Sequence, residues 1–281
     1  MKSKSKKLIA ILLSITIIII GGGAYFYLRH YRTPAKETVK LSEFTDAADI
    51  SLTAHRGLSA LAPENTIPAI ELAGQNGYKY AEFDIHLTED GVWILNHEEH
   101  LIRMTGKLGY IKDYTYFELA EYNINNGANH ENYPNLKMPS LDDALDTCLK
   151  YNIIPMIEIK DYTDSGIKSL VNSITEHGFE DSCYVISFKY DAIEAVEKAN
   201  PNIDILYLIE KLDEEHLSRC LDNPHRGVSF KADPKANTAE KINKLKEKRI
   251  ELFTWTVDEK DAIDYYYPLG VKNFVTNRIL P

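Results

Sequence analysis

Glu82 and Asp84 stand two residues apart in a run, 80–85, of mostly apolar and aromatic residues. An extended chain turns alternate side chains to one face, so this spacing aims both carboxylates at the same place. Glu158 and Lys160 share a face in the same way at the end of the run 154–159, and the run 50–54 leads directly into His55-Arg56-Gly57. A second imidazole follows from a turn. Thr88-Glu89-Asp90-Gly91 is a hairpin signal, and it folds the strand 92–96 back antiparallel. A two-residue turn at Asp90-Gly91 sets His97 across from Asp84; the same turn one residue earlier sets it across from Glu82. Three carboxylates with no cysteine beside them suit one hard divalent cation, Ca²⁺ or Mg²⁺, better than zinc. Arg56 and Lys160 supply positive charge for a phosphate oxygen. Two imidazoles, a cation site and two basic groups are parts for phosphoryl chemistry, with one ring activating the nucleophile and the other protonating the leaving oxygen. Singly, each piece has a plain alternative: solvated edge carboxylates, a buried structural histidine, a surface ion pair at Lys160. Their convergence on one place argues for function.

The elements that must position these groups alternate between short apolar runs and amphipathic helical stretches, which predicts an α/β fold with a parallel sheet. Eight strands are expected, at 50–54, 80–85, 154–159, 184–188, 205–209, 227–230, 252–257 and 273–276, giving a TIM (β/α)8 barrel in a domain spanning 47–281. In that fold chemistry sits at the C-terminal ends of the strands, where the candidate residues fall. The hairpin and the polar, tyrosine-rich segment of about 103–139 break the rhythm and read as a small insertion after the second strand. Glu64 and Asn65 read as the start of a helix rather than as site residues. His225-Arg226-Gly227 precedes its strand and so belongs at the bottom of the barrel, away from the chemistry. His86 is expected to be structural.

The 281 residues carry 42 acidic and 32 basic side chains. Six of the basic ones, Lys2, Lys4, Lys6, Lys7, Arg29 and Arg32, lie in the first 32 residues, which hold no acid; the other 26 face all 42 acids, a net of −16 against −10 for the whole chain. A nucleic-acid partner is therefore not expected. After the basic segment 1–7, residues 8–28 form an uncharged stretch about 31 Å long as a helix, enough to cross a bilayer core. It predicts one N-terminal transmembrane helix, with the N-terminus cytoplasmic, a polar stalk at 29–46, and the barrel outside the cell membrane. Cleavage near Gly22 and Ala24 is the competing reading and would make the domain secreted. Cys148, Cys183 and Cys220 form neither a zinc motif nor a disulfide framework.

The series His55-Arg56-Gly57, Pro63-Glu64-Asn65-Thr66, Glu82-Phe83-Asp84, Thr88 through Gly91, His97, Glu158-Ile159-Lys160, Ser187-Phe188 and Trp255-Thr256-Val257 resembles the glycerophosphodiester phosphodiesterase family in order and over essentially the whole outer domain. The resemblance implies metal-dependent hydrolysis of glycerophosphodiesters to an alcohol and glycerol 3-phosphate, and anchoring beside a bilayer points to lipid-derived or wall-polymer glycerophosphates as substrates. The resemblance also implies His55 and His97 as general acid and base, and Glu82, Asp84 and Glu158 as metal ligands. Arg56 and Lys160 are implied near the phosphate, and Trp255 along the glycerol pocket. Two positions depart from the family pattern. Glu98 replaces an aspartate after His97, where its extra methylene loosens the expected hold on that ring. Thr276-Asn277-Arg278-Ile279 replaces Thr-Asp-x-Pro and removes a carboxylate from the end of the last strand. These departures keep open a non-catalytic phosphodiester-binding barrel; attack by a substrate hydroxyl instead of water, as in related lyase-type phospholipases, is the second alternative and gives a cyclic phosphate.

Overall fold

A computed structural model describes residues 33–223 and 226–281. Eight parallel strands form its centre: β2 (Ser51–Ala54), β3 (Tyr80–Leu87), β5 (Ile154–Ile159), β6 (Tyr184–Ser187), β7 (Asp204–Ile209), β8 (Gly227–Lys231), β9 (Leu252–Trp255) and β10 (Asn273–Thr276). Each pairs with the next around the ring, and β10 pairs with β2, which pairs with β3 and closes the barrel. The remaining strands are β4 (Trp93–Leu95), antiparallel on β3, and a parallel pair outside the barrel, β1 (Val39–Lys40) with β11 (Ile279–Leu280).

Helices such as Ile67–Gln75, Leu141–Tyr151 and Asp164–Glu176 follow their strands and bury one face against the sheet. Leu141–Tyr151 shows how locally its ends are specified. Ser140 and Asp143 make a capping box at its start, and Asn152 takes the left-handed conformation that stops it. The main core lies between strands and helices. A second fills the barrel floor, where Tyr80, Tyr184 and Phe253 meet edge to face at 5.3–5.9 Å among Met156, Leu206 and Val275. With its floor packed, the barrel is open only toward the C-terminal ends of its strands.

The hairpin does not take either expected register. Leu87 pairs with Trp93, His86 with Ile94 and Ile85 with Leu95, because the loop spans three residues, 89–91, and ends on Gly91 at φ +79°. A three-residue loop with its last residue left-handed shifts the pairing by one, so His97 lies beyond the end of the ladder rather than opposite either acid. The insertion builds its own small core from Leu101, Met104, Ile111, Leu119, Ile124 and Met138 around Ile94.

The stalk expected to run to residue 46 ends sooner. Lys36 N–H donates to the Ala60 carbonyl, β1 pairs with β11, and Val39, Leu41 and Phe44 pack on the main core, so the barrel's compact unit begins at Pro34. The expected transmembrane stretch 8–28 lies outside the described residues; among the described ones no helix is long and apolar enough to cross a membrane. His225 lies outside them too, while Arg226 is held by Glu194 and Glu197. All three cysteines are buried and free.

Candidate active site

β3 and β5 run side by side with Asp84 opposite Glu158, and two residues earlier Glu82 points the same way. Their carboxylates converge within 4.8 Å of one another, all buried. Such a cluster cannot be comfortably charged by itself. Burial, then the charges of Asp84 and Glu158, pushes the Glu82 carboxyl well above its ordinary range, and burial followed by the Asp84 charge lifts Glu158 to about 8. Asp84 goes the other way. Burial acts to raise it too, but the charges of Lys160 and Arg56 prevail and hold it far below the usual carboxylate range. Lys160 Nζ lies 2.8 Å from Asp84 Oδ1 and 2.5 Å from Glu158 Oε1, bridging the strands. Three convergent buried carboxylates, with no thiolate among them, fit a hard divalent cation.

β2 delivers the first imidazole through a strained corner. Arg56 sits at φ +57° and Gly57 at +72°, and the Arg56 N–H donates to Glu82 Oε2 at 2.8 Å. A non-glycine residue in the left-handed region costs free energy that the surrounding contacts must offset. The turn brings His55 Nε2 to 4.0 Å from Glu82 Oε2, with Nδ1 2.8 Å from Asn277 Oδ1. Burial and then the Arg56 charge lower His55 to about 4. Gly57 permits no substitute, since a Cβ there would lie 2.6 Å from the Ala69 carbonyl carbon. We expect Gly57→Ala to cost about 3 kcal/mol by urea unfolding, from left-handed strain and overpacking together.

The second imidazole is held by a chain of charges. His97 Nδ1 lies 3.1 Å from Glu98 Oε1, which accepts from Arg103 Nε at 2.8 Å. Arg103 also reaches Glu98 Oε2 at 2.7 Å and Glu64 Oε1 at 2.6 Å, and Glu64 accepts from Arg56 at 2.8 Å. Glu98 is thus gripped on both oxygens by Arg103 while it meets His97. Glu64 and Asn65 lie just before the helix and hold Arg56 and Asp84. Asn65, at φ +56°, donates to Asp84 Oδ2 at 2.8 Å and accepts the Asp84 N–H at 2.9 Å. Thr66 occupies the N-cap, but its hydroxyl donates back to Pro63. His86 is buried between Asp161 Oδ2 at 2.8 Å and the His97 carbonyl at 3.3 Å, and so supports the loop bearing His97.

His55, Arg56, Glu82, His97, Glu158, Lys160 and Trp255 all line one cavity of about 200 Å³, with Asp84 buried behind it. The rest of the lining joins the apolar Met156, Ile186, Leu208 and Val275, which rise from the floor, to Glu210, Ser229 and Thr256, and Phe188 packs edge to face on Trp255 at 5.6 Å between ring centres. Sequence reasoning did not find the roles of Glu64, Asn65, Arg103 and Asp161, each of which acts on a partner far away in the chain.

A sequence model of the glycerophosphoryl diester phosphodiesterase family matches residues 55–280. The chain is 29% identical over 236 residues to the glycerophosphodiester phosphodiesterase of Caldanaerobacter subterraneus subsp. tengcongensis, covering 80% of this chain and 92% of that one. It is 25% identical over 296 residues to glycerophosphodiester phosphodiesterase 1 of Bos taurus, covering 93% and 88% respectively. In fold it is similar to an Oleispira antarctica phosphodiesterase solved in complex with the product sn-glycerol-3-phosphate, at a TM-score of 0.74 and 23% identity over 81% of this chain and 92% of that one.

Proposed function

The chain belongs to the glycerophosphoryl diester phosphodiesterase family, and on that premise we propose that it hydrolyses glycerophosphodiesters to an alcohol and sn-glycerol 3-phosphate, with His55 and His97 as the acid-base pair. It is an enzyme of the phosphoric diester hydrolase class, with glycerophosphodiester phosphodiesterase activity. The observation that carries the detailed reading is the single cavity onto which two imidazoles, an arginine, a lysine and the carboxylate cluster converge.

Glu82, Asp84 and Glu158 would hold one divalent cation, Ca²⁺ or Mg²⁺, which when bound supplies charge neutralisation at a non-bridging phosphate oxygen. Arg56 and Lys160 line the same cavity and bind the remaining phosphate charge. Burial keeps His55 neutral at physiological pH, so that its ring has a free nitrogen for a proton from the attacking water. His97, held at Nδ1 by Glu98, is placed to protonate the leaving oxygen. Trp255 and Phe188 exclude water and orient the glycerol.

The uncharged stretch 8–28, flanked by lysines and arginines, supports a single-pass anchor with the barrel outside the cell membrane and a bilayer as its neighbour. Substrate reach toward lipid-derived diesters and the absence of a nucleic-acid partner belong to the same proposal.

The test is a glycerol 3-phosphate assay on the full chain with glycerophosphocholine, first with a chelator and then with Ca²⁺ or Mg²⁺ restored. Release should vanish with the chelator and return with the cation. Turnover unaffected by chelation would remove the cation from the mechanism, absence of turnover under every condition would favour a binding barrel, and a cyclic phosphate in the phosphorus NMR spectrum would favour the lyase.

A further inference from the structure

Behind His55 the structure holds a carboxylate at one remove. Asn277 stands where the family pattern has an aspartate, and its two amide ends face different neighbours. Asn277 Nδ2 donates to Asp258 Oδ2 at 2.8 Å, while Asp258 Oδ1 accepts the Asn277 N–H at 2.8 Å and the Thr276 hydroxyl at 3.2 Å. At its other end Asn277 Oδ1 accepts from Ser59 Oγ at 3.0 Å and lies 2.8 Å from His55 Nδ1. The three partners come from the ends of β9, β10 and β2, which are neighbours in the sheet. Lys36, from the segment before the barrel, completes the chain at 2.9 Å from Asp258 Oδ2.

We propose that Asp258 is a positioning residue for the reaction: it locks the Asn277 amide with its oxygen toward His55, so that the His55 ring carries its proton on Nδ1 and presents the bare Nε2 to the cavity. An ionised carboxylate only accepts, so the amide end against Asp258 is the NH₂. The end against His55 is then a carbonyl oxygen, which also only accepts, so His55 Nδ1 is the donor. Nε2 keeps its lone pair on the side of Glu82. The carboxylate missing from position 277 thus acts from position 258 through an amide, fixing the tautomer without placing a negative charge on the ring. The inference rests on His55 being the proton acceptor of the proposed reaction, but the tautomer itself does not depend on turnover.

Long-range proton-nitrogen NMR on the full chain, with the His55 signals assigned by their loss in His55→Gln, reads the tautomer directly. The wild type at pH 7.5 should show Nδ1 protonated and Nε2 bare. Asp258→Asn frees the amide at 277 to turn either way, and should mix the tautomers and lower kcat by about 10²-fold with KM for glycerophosphocholine within about twofold. Asn277→Asp sets two carboxylates face to face and should lose kcat similarly. The double variant Asp258→Asn with Asn277→Asp restores one acceptor facing one amide, and should recover most of the loss together with the wild-type spectrum. Wild-type His55 protonated on Nε2, or an Asp258→Asn variant with unchanged tautomer and kcat, would overturn the proposal, as would a folded double variant that recovers neither. If the wild type turned over no diester, the function reading would fail while the spectrum still decided the tautomer.

Discussion

Replacing His97 by alanine is expected to lower kcat by about 10³-fold, with His55→Ala at least as damaging, while neither variant shifts the thermal midpoint by more than a few degrees. Each imidazole is held from behind by groups that do not need it. Glu98, Arg103, Glu64 and Arg56 form a continuous run of ion pairs that closes without His97, and Asn277 keeps Ser59 and Asp258 when His55 is gone. Removing either ring therefore leaves no uncompensated buried charge, the usual origin of large losses in stability. The two losses should also fail to multiply. If one ring receives a proton while the other delivers one, a double variant falls little below the worse single, because half of a proton relay is nearly as useless as none. Initial rates of glycerol 3-phosphate release at saturating substrate, beside thermal melts of the same samples, decide it. A folded His97→Ala variant with more than a tenth of wild-type kcat would remove His97 from the chemistry.

The distinction between the rings and their supports also marks what the sequence disclosed. Strand positions were legible because each barrel strand is a short apolar run bounded by turn residues, and a period of two fixes which side chains share a face; hence Glu82 with Asp84, and Glu158 with Lys160. Register was not, since one left-handed glycine, Gly91, moved the whole hairpin by a residue, and the alternation of β4 is the same in either case. His97 reaches the cavity all the same, through a loop tied to Glu98 and His86 rather than through the ladder. Arg103 lay in a segment read as an insertion, yet it holds both Glu98 and Glu64, which is 39 positions away. Asn65 showed the usual composition of a helix start, and only its left-handed backbone turns its amide onto Asp84. Such supports obey no periodicity, and their partners become visible only when the barrel brings strand ends together.

Substituting the three clustered carboxylates should move stability in opposite directions. The fold raises Glu158 from its ordinary 4.5 to about 8, so between those values the folded chain keeps a proton that the unfolded chain has released. Its contribution to stability is fully present below about 4.5 and is lost as pH rises through about 8; Glu82, raised by burial and the same neighbours, acts with the same sign. Asp84 contributes oppositely. Held far below its ordinary value against its burial, by Lys160 and Arg56, it stabilises the fold above the usual carboxylate range and ceases to do so only in strong acid. In the cation-free protein at pH 8.5, Glu158→Gln should therefore raise the thermal midpoint and flatten its decline between pH 5 and 9. Asp84→Asn should cost about 3–5 kcal/mol at the same pH, because Lys160 and Arg56 lose the buried charge they share. Added Ca²⁺, at a fixed concentration 100 times its dissociation constant at pH 8.5, should stabilise the wild type by about 2.7 kcal/mol there and by less at pH 6, where its ligands must first give up their protons. Glu158→Gln should lose that increment and the turnover with it. With these outcomes the cluster would be a place where the fold gives up stability that a cation restores. A Glu158→Gln variant that melts below the cation-free wild type at pH 8.5 would show the opposite, that the three carboxylates hold the barrel together through Lys160 rather than waiting for a metal.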